Sequence, residues 1–475
     1  MSSEQQRIVI DNLFATSIKD EDRLTQSDFD GLKNRLNEIQ AGFKQESKSY
    51  ETLVKNLRAW TKSHEQKEHI AKVIEIAKDI RDTFKAEAFV TIGIGGSDLG
   101  GRTIHGVLNS SLHNLKSREG RNGAPQIFFV GDTFDPKELY DLLKYLKNSG
   151  ILLKTIFNVI SKSGTTSETI AAFLIIKDAL QAALEKEGRS PDEYAQNIIA
   201  TTGLNEKSAL YALNEKQTIK FRGLLPVPDG VGGRFSFASP VGLLVLAVSS
   251  SCKNMPPEKR VKQAVQGLAD AEKMVYIDIA SQDNLAFRLA AVNFLAEKKG
   301  KTSIVFYPYC KTLKLVGDWF TQLSTESLQE KGQGQNVIST TGPTGNHSIA
   351  NGIVGGPRDK VILFLRIEEY SERYDYAVPM KSGIGGELEM LEGKKMSYIQ
   401  NASQEGTEIN FTTNGVLNVC VSIPKLDTYN LFKLLYALEA SVAVEGELRG
   451  LGQMTYLQPG VEGYKEETRK ILAKS

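Results

Sequence analysis

Cysteine is scarce in this sequence. Cys252, Cys310 and Cys420 are the three among 475 residues, odd in number and far apart. That excludes a disulfide framework and predicts reduced thiols. Histidine is nearly as rare, with five residues, and no Cys/His cluster has zinc spacing. His64 and His69 flank the charged run Glu65 to Glu68 and are expected to face solvent. An excess of charge is also lacking, with 58 basic residues against 57 acidic ones. This balance gives no support for a nucleic-acid or anionic-membrane surface. No stretch approaches the about 18 apolar residues of a membrane span. The polar start Met1–Gln6 does not read as a signal peptide. The absences together predict a cytoplasmic protein with no nucleic-acid or membrane partner.

What is present is an alternation of strand and helix. At 475 residues the chain has room for about two to three domains. Residues 1–50 read as a helical extension, with Leu32, Leu36, Ile39 and Phe43 on one helical face. Strands follow at Ala88–Ile92, Gln126–Val130, Thr155–Ile160 and Asn197–Thr201, with helical patterns between them. The βαβα order implies a parallel sheet with helices on both faces. The chain turns polar near 251–260, a candidate boundary, and a second α/β half resumes with strands at 303–307, 361–365 and 416–421. A long helix near 427–448 precedes a polar tail. The reading is therefore α/β with two doubly wound parallel-sheet domains, 51–250 and 251–448, an extension over 1–50 and a tail over 449–475.

The stretch around which this organises is Ser161-Lys162-Ser163-Gly164-Thr165-Thr166-Ser167-Glu168-Thr169, between a buried strand and an apolar helix. A helix start offers outward N–H groups and partial positive charge. The hydroxyls add donors and Lys162 adds a full charge. Such a site suits a phosphate dianion. The plainer alternative is a turn closed by a capping box from Thr166 to Thr169. It is not a Walker A loop, because no Gly-Lys-Ser/Thr follows at the required spacing.

Other stretches are less telling singly. Gly93–Gly101 follows a strand, but Asp98 occupies the sixth place of a dinucleotide fingerprint, where a carboxylate would oppose a pyrophosphate. Its glycines either form a tight turn or let a sugar approach the backbone, with Ser97 donating. Arg234, in Gly232-Gly233-Arg234-Phe235-Ser236, is either a solvated turn residue or a holder of negative charge. Gln322 and Glu326 share a helical face, where Glu326 is either merely exposed or a general base. His347 in a Gly-rich loop is a candidate acid/base. Lys465 follows the turn Pro459-Gly460.

Taken together and in this order, the stretches resemble glucose-6-phosphate isomerase, over roughly residues 50–470. Ile92–Gly100, Ser161–Thr169, Gly232–Ser236, Gln322 through Ser327, and Gln458–Glu462 with Lys465 carry the resemblance, the third and the last being the most specific. It implies two sugar-isomerase (SIS) domains, a homodimer, and no metal or organic cofactor. It implies glucose 6-phosphate and fructose 6-phosphate as partners, interconverted through a cis-enediol. Ser161, Lys162, Ser163 and Thr166 would hold the phosphate, and Gly96 and Ser97 would line the sugar. Arg234 would sit near C1 and C2, Gln322 and Gln458 would line the pocket, and Glu326 would be the base. His347, given across the dimer, and Lys465 would open the ring. The sequence departs from the family where Leu328-Gln329-Glu330 replaces Asn-Gly-Lys and Thr344-Gly345-Asn346-His347 replaces Asn-Gly-Gln-His. The alternatives are a dual phosphoglucose/phosphomannose isomerase and a non-catalytic sugar-phosphate sensor. A sensor would need the 161–169 loop but not Glu326, His347 and Lys465.

Overall fold

The computed structural model describes residues 9–11, 22–381, 383 and 385–473. Its strands are β1 (Val9–Asp11), β2 (Ala88–Ile92), β3 (Gln126–Val130), β4 (Thr155–Ile160), β5 (Ile198–Thr202), β6 (Gly223–Pro226), β7 (Ser303–Pro308), β8 (Asn336–Ser339), β9 (Lys360–Glu369) and β10 (Asn418–Lys425). They form two sheets, ordered β3-β2-β4-β5-β6 and β1-β10-β9-β7-β8. All pairings in the first are parallel. The second is parallel except for β1, which runs antiparallel to β10.

The chain divides into two compact units. One comprises Ser49–Asp270 with Asp427–Lys433; the other comprises the described residues up to Lys48, Ala271–Leu426 and Leu434 onward. Helix Pro257–Val275 therefore counts mostly with the first sheet.

In the first unit β2 and β4 are buried throughout, as strands covered on both faces must be. Phe157, Phe173, Ile176, Leu180 and Leu184 pack into one core. Helix Pro136–Asn148 starts where the sequence signals it, with Asp135 accepting from Lys137 N and proline in the first turn. Helix Pro240–Val248 is buried at all nine positions, so its continuous apolar run never needed a polar face. In the second unit Tyr307, Phe364 and Phe411 form an aromatic core, with Tyr307 and Phe364 5.3 Å apart and Phe364 and Phe411 5.9 Å apart.

The structure corrects several expectations. The N-terminal stretch is not purely helical: helix Gln26–Glu46 is there, but Val9–Asp11 is an edge strand. The rest of that extension, residues 1–8 and 12–21, lies outside the described residues. Strands β6 and β8 were missing from the sequence reading. His64 does not face solvent as expected, and His69 is only partly exposed. The His64 side chain is 9% exposed. His69 lines a cleft of about 340 Å³ with Tyr50, Gln66, Asn205 and Asp229, and burial lowers its pKa. Among the described residues no helix is long and apolar enough to cross a membrane, and the three cysteines are free thiols.

The strand orders fix where ligands can sit. In the first sheet the chain leaves β2 for β3 on one side and β4 for β5 on the other, so the order reverses between β2 and β4. In such sheets the crevice beyond the carboxyl ends at the reversal is the ligand position. The loops after β2 and β4 are Gly93–Asp98 and Ser161–Thr166, two of the stretches the sequence singles out.

Candidate active site

In the loop after β4, the backbone is folded so that the hydroxyls face inward on one another. Ser161 Oγ lies 2.9 Å from Thr166 Oγ1, and Ser163 Oγ lies 2.8 Å from Thr165 Oγ1. Ser161 Oγ also accepts from Gly164 N at 3.1 Å. Gly164 sits at φ +67°, and a Cβ there would lie 2.6 Å from Leu210 N. Glycine is thus required by both conformation and space. Thr166 is the N-cap of helix Ser167–Lys186, yet no side chain caps that helix. The capping-box alternative is therefore not what the threonine does. Its hydroxyl turns to Ser161, and the helix start keeps its partial positive charge uncapped by a side chain.

Lys162 is half-exposed, with Nζ 3.4 Å from the carbonyl oxygens of Pro228 and Val231 and 4.0 Å from the Asp229 carboxylate. Burial lowers its pKa, opposed by Asp229. The ammonium is loosely held at distances that a charge-assisted phosphate contact of about 2.8 Å would improve on.

The loop after β2 packs against the arginine turn. Gly96 approaches it so closely that a Cβ would lie 2.1 Å from the carbonyl carbon of Gly233 and 2.5 Å from Arg234 N. Ser236 Oγ donates to the Gly233 carbonyl at 2.6 Å and lies 3.2 Å from the Gly96 carbonyl. Arg234 itself is 2% exposed, its guanidinium 5.6 Å from the Phe235 ring. Phe235 in turn stacks on Trp60 at 5.2 Å. Arg234 is therefore no solvated turn residue. Gly96→Ala must push the two turns apart, at a cost of about 1–3 kcal/mol for overpacking. The expected result is a lower Tm and a kcat/KM reduced by about tenfold or more. Wild-type values for both would show that the close approach is not needed.

Asp98 behaves otherwise than its place in the glycine stretch suggests. It is 1% exposed and ion-paired to Arg102 Nε at 2.7 Å, and Arg102 reaches Asp132 at 3.2 Å. The argument that its carboxylate opposes a pyrophosphate thus loses its physical basis, since Arg102 covers it. Burial outweighs Arg102 and pushes the Asp98 pKa up to about 6. A carboxyl with a raised folded pKa contributes most below the unfolded value near 4 and loses that contribution as pH rises through about 6. Asp98→Asn, which cannot ionise, removes this dependence. Its stability relative to wild type should therefore improve from pH 4 to pH 7, by up to about 3 kcal/mol for a shift of about two units. A stability difference constant over that range in denaturant titrations would contradict the assignment.

In the second unit, helix Lys314–Leu328 carries Gln322 and Glu326, and Gln322 Nε2 donates to Glu326 Oε1 at 3.1 Å. The amide thus fixes the carboxylate's orientation from one turn away. His347 ends a short turn, Thr344–His347, and is exposed. Lys465, on helix Glu462–Leu472, is half-exposed and bonded to Glu462 at 2.8 Å, and Gln458 is exposed. The structure joins Ser161 with Thr166, Gly96 with the Arg234 turn, and Gln322 with Glu326. His347, Gln458 and Lys465 stand on separate elements. Sequence reasoning missed Asp98 with Arg102, although their four-residue spacing was a usable signal, and it missed Asn346, which anchors the histidine loop.

The fold and the sequence both have counterparts among known proteins. The two parallel-sheet α/β units are the fold of a solved glucose-6-phosphate isomerase from Chlamydia trachomatis, with a TM-score of 0.67 at 21% identity over 86% of this chain and 73% of that one. A solved hypothetical protein from Thermus thermophilus has a TM-score of 0.73 at 26% identity, over 95% of this chain and 99% of that one. Among curated proteins, the glucose-6-phosphate isomerase of Carboxydothermus hydrogenoformans is 31% identical over 98% of this chain and 95% of its own length. A family model described as phosphoglucose isomerase matches residues 52–357. The chain belongs to the phosphoglucose isomerase family.

Proposed function

We propose that this protein interconverts glucose 6-phosphate and fructose 6-phosphate. One observation carries the reading: the family match over 52–357 takes in the glycine loop, the hydroxyl loop, the arginine turn, Glu326 and His347 in one chain. Ser161, Lys162, Ser163 and Thr166 hold the phosphate, and Gly96, Ser97, Gln322 and Gln458 line the sugar. His347 and Lys465 move the proton that opens the ring. Glu326 then takes the proton from C2, the electron pair passes to the C1 carbonyl oxygen, and a cis-enediolate forms. The C2 hydroxyl proton passes to the C1 oxygen, and return of the carbon-bound proton to C1 as the carbonyl forms at C2 completes the aldose-to-ketose step. Arg234 stabilises the developing oxyanion; such a preformed positive group is among the largest contributions to rate. Glutamate-based proton transfer of this type needs only a positioned base.

The protein acts in the cytoplasm as a homodimer in which each His347 serves the partner's site. The exposure of His347 on its own chain supports this. The test uses Glu326→Gln and His347→Ala proteins, each expected to be nearly inactive. Unfolded together and refolded, they should form heterodimers with one complete site. About a quarter of wild-type turnover of fructose 6-phosphate should return if exchange is random in a two-fold dimer. If the mixture stays as inactive as its components, the crossed assembly is wrong.

A further inference from the structure

The loop that carries His347 is held from beneath by a buried polar network. Tyr307 and Tyr309 lie at the end of β7, 0% and 2% exposed, with rings stacked 6.0 Å apart. The Asn346 side chain closes onto both. Its Oδ1 accepts from Tyr307 OH at 2.6 Å, and its Nδ2 donates to Tyr309 OH at 2.7 Å and to Thr407 Oγ1 at 2.9 Å. Tyr309 OH also lies 2.9 Å from Thr407 Oγ1, 3.0 Å from Ser403 Oγ and 3.1 Å from the Ser403 carbonyl. Thr407 and Ser403 belong to helix Met396–Thr413.

The backbone of the loop is shaped to the same two rings. A Cβ at Gly342 would lie 2.2 Å from the Tyr309 ring, and one at Gly345 would lie 2.4 Å from Tyr307 OH. Burial raises the Tyr307 pKa far above any working pH, so its hydroxyl remains a donor to Asn346. An amide is the side chain that can accept from one tyrosine while donating to the other and to the threonine. This is more than a turn needs for closure. The backbone bonds Asn346 N to the Pro343 carbonyl and Gly345 N to the Thr341 carbonyl already supply that.

We infer that Asn346, clamped by Tyr307, Tyr309 and Thr407, is a positioning residue that sets where the adjacent His347 presents its imidazole for ring opening. The inference rests on the reading of His347 given above. The network fixes the backbone one residue from the histidine, while the imidazole itself stays exposed and available to substrate. A displacement of about 1 Å at such a group costs up to about a hundredfold in rate.

The experiment separates ring opening from isomerisation. Opening and reclosure exchange the α and β anomers of glucose 6-phosphate without any transfer of the C2 proton, and NMR exchange spectroscopy reads that rate directly. Four full-length proteins are compared with wild type: Asn346→Leu, which keeps the approximate shape and removes every side-chain hydrogen bond; Asn346→Gln, which keeps the amide; Tyr307→Phe, which removes one donor and keeps the ring; and His347→Ala. Asn346→Leu should lose anomer exchange and kcat together, by about 10- to 100-fold, with KM little changed because the phosphate loop is untouched. Asn346→Gln should recover most of the loss, and Tyr307→Phe should show a smaller loss of the same kind, which keeps the test open if Asn346→Leu does not fold. If anomer exchange is lost in His347→Ala but normal in a folded Asn346→Leu or Tyr307→Phe, the positioning role is overturned and the reading of His347 stands. If His347→Ala itself exchanges anomers normally, the reading of His347 falls, and the inference with it.

Discussion

Glu326→Gln should lower kcat at least about a hundredfold while KM stays near the wild-type value. The substitution keeps the size of the side chain and its capacity to meet the Gln322 amide, which now donates to Glu326 Oε1 at 3.1 Å. What it removes is the ability to take a proton from C2. Positioned general-base transfer contributes about 10²–10⁴ in rate, which sets the scale of the loss. KM should hold because the groups assigned to the phosphate lie in other loops. A fall in kcat matched by a comparable rise in KM would assign Glu326 to binding. Near-normal kcat would remove it from the chemistry.

Lys162→Ala should do the reverse, raising KM by about 10- to 100-fold with a smaller change in kcat. The ammonium is held only loosely, at 3.4 Å from two carbonyl oxygens and 4.0 Å from Asp229. Its removal therefore leaves no strongly committed partner behind, and the fold should not suffer. A charge-assisted contact to phosphate is worth about 1.5–3 kcal/mol, and each 1.4 kcal/mol is tenfold in affinity. Steady-state kinetics with inorganic phosphate as a competitive inhibitor supplies a second readout, because its inhibition constant should rise in parallel. An unchanged KM together with unchanged phosphate inhibition would argue against the loop as the phosphate site.

The first sheet was legible because its central strands are written as short β-branched apolar runs. Thr155–Ile160 is buried at every position, as expected of a short β-branched run in a strand covered on both faces. Strand β6 was not legible: it is four residues long and ends in proline. Strand β8 has only alternate partial burial and no apolar run. Strand β1 is three residues whose role depends on pairing with Cys420–Ser422, some 400 positions away, a contact that no local pattern encodes. The hydroxyl loop was readable as an anion site from chemistry alone, because strand, donors and helix start are contiguous. Arg234, His347 and Lys465 were not. Each is a single residue whose meaning depends on its surroundings, and the motifs, not the spacing, gave them roles. The clamp on Asn346 joins residues 39 and 61 positions apart. The departure at that position was visible in the sequence, but the partners that give it significance were not.

The measurement that tests the central claim most directly is conversion of fructose 6-phosphate to glucose 6-phosphate by the purified full-length protein, with excess EDTA present. The account predicts turnover at enzyme-like rates, on the order of 1–10³ per second, undiminished by the chelator. Binding of the sugar phosphate without turnover would contradict it and favour a sensor. Turnover that EDTA abolishes would contradict the metal-free proton transfer assigned to Glu326.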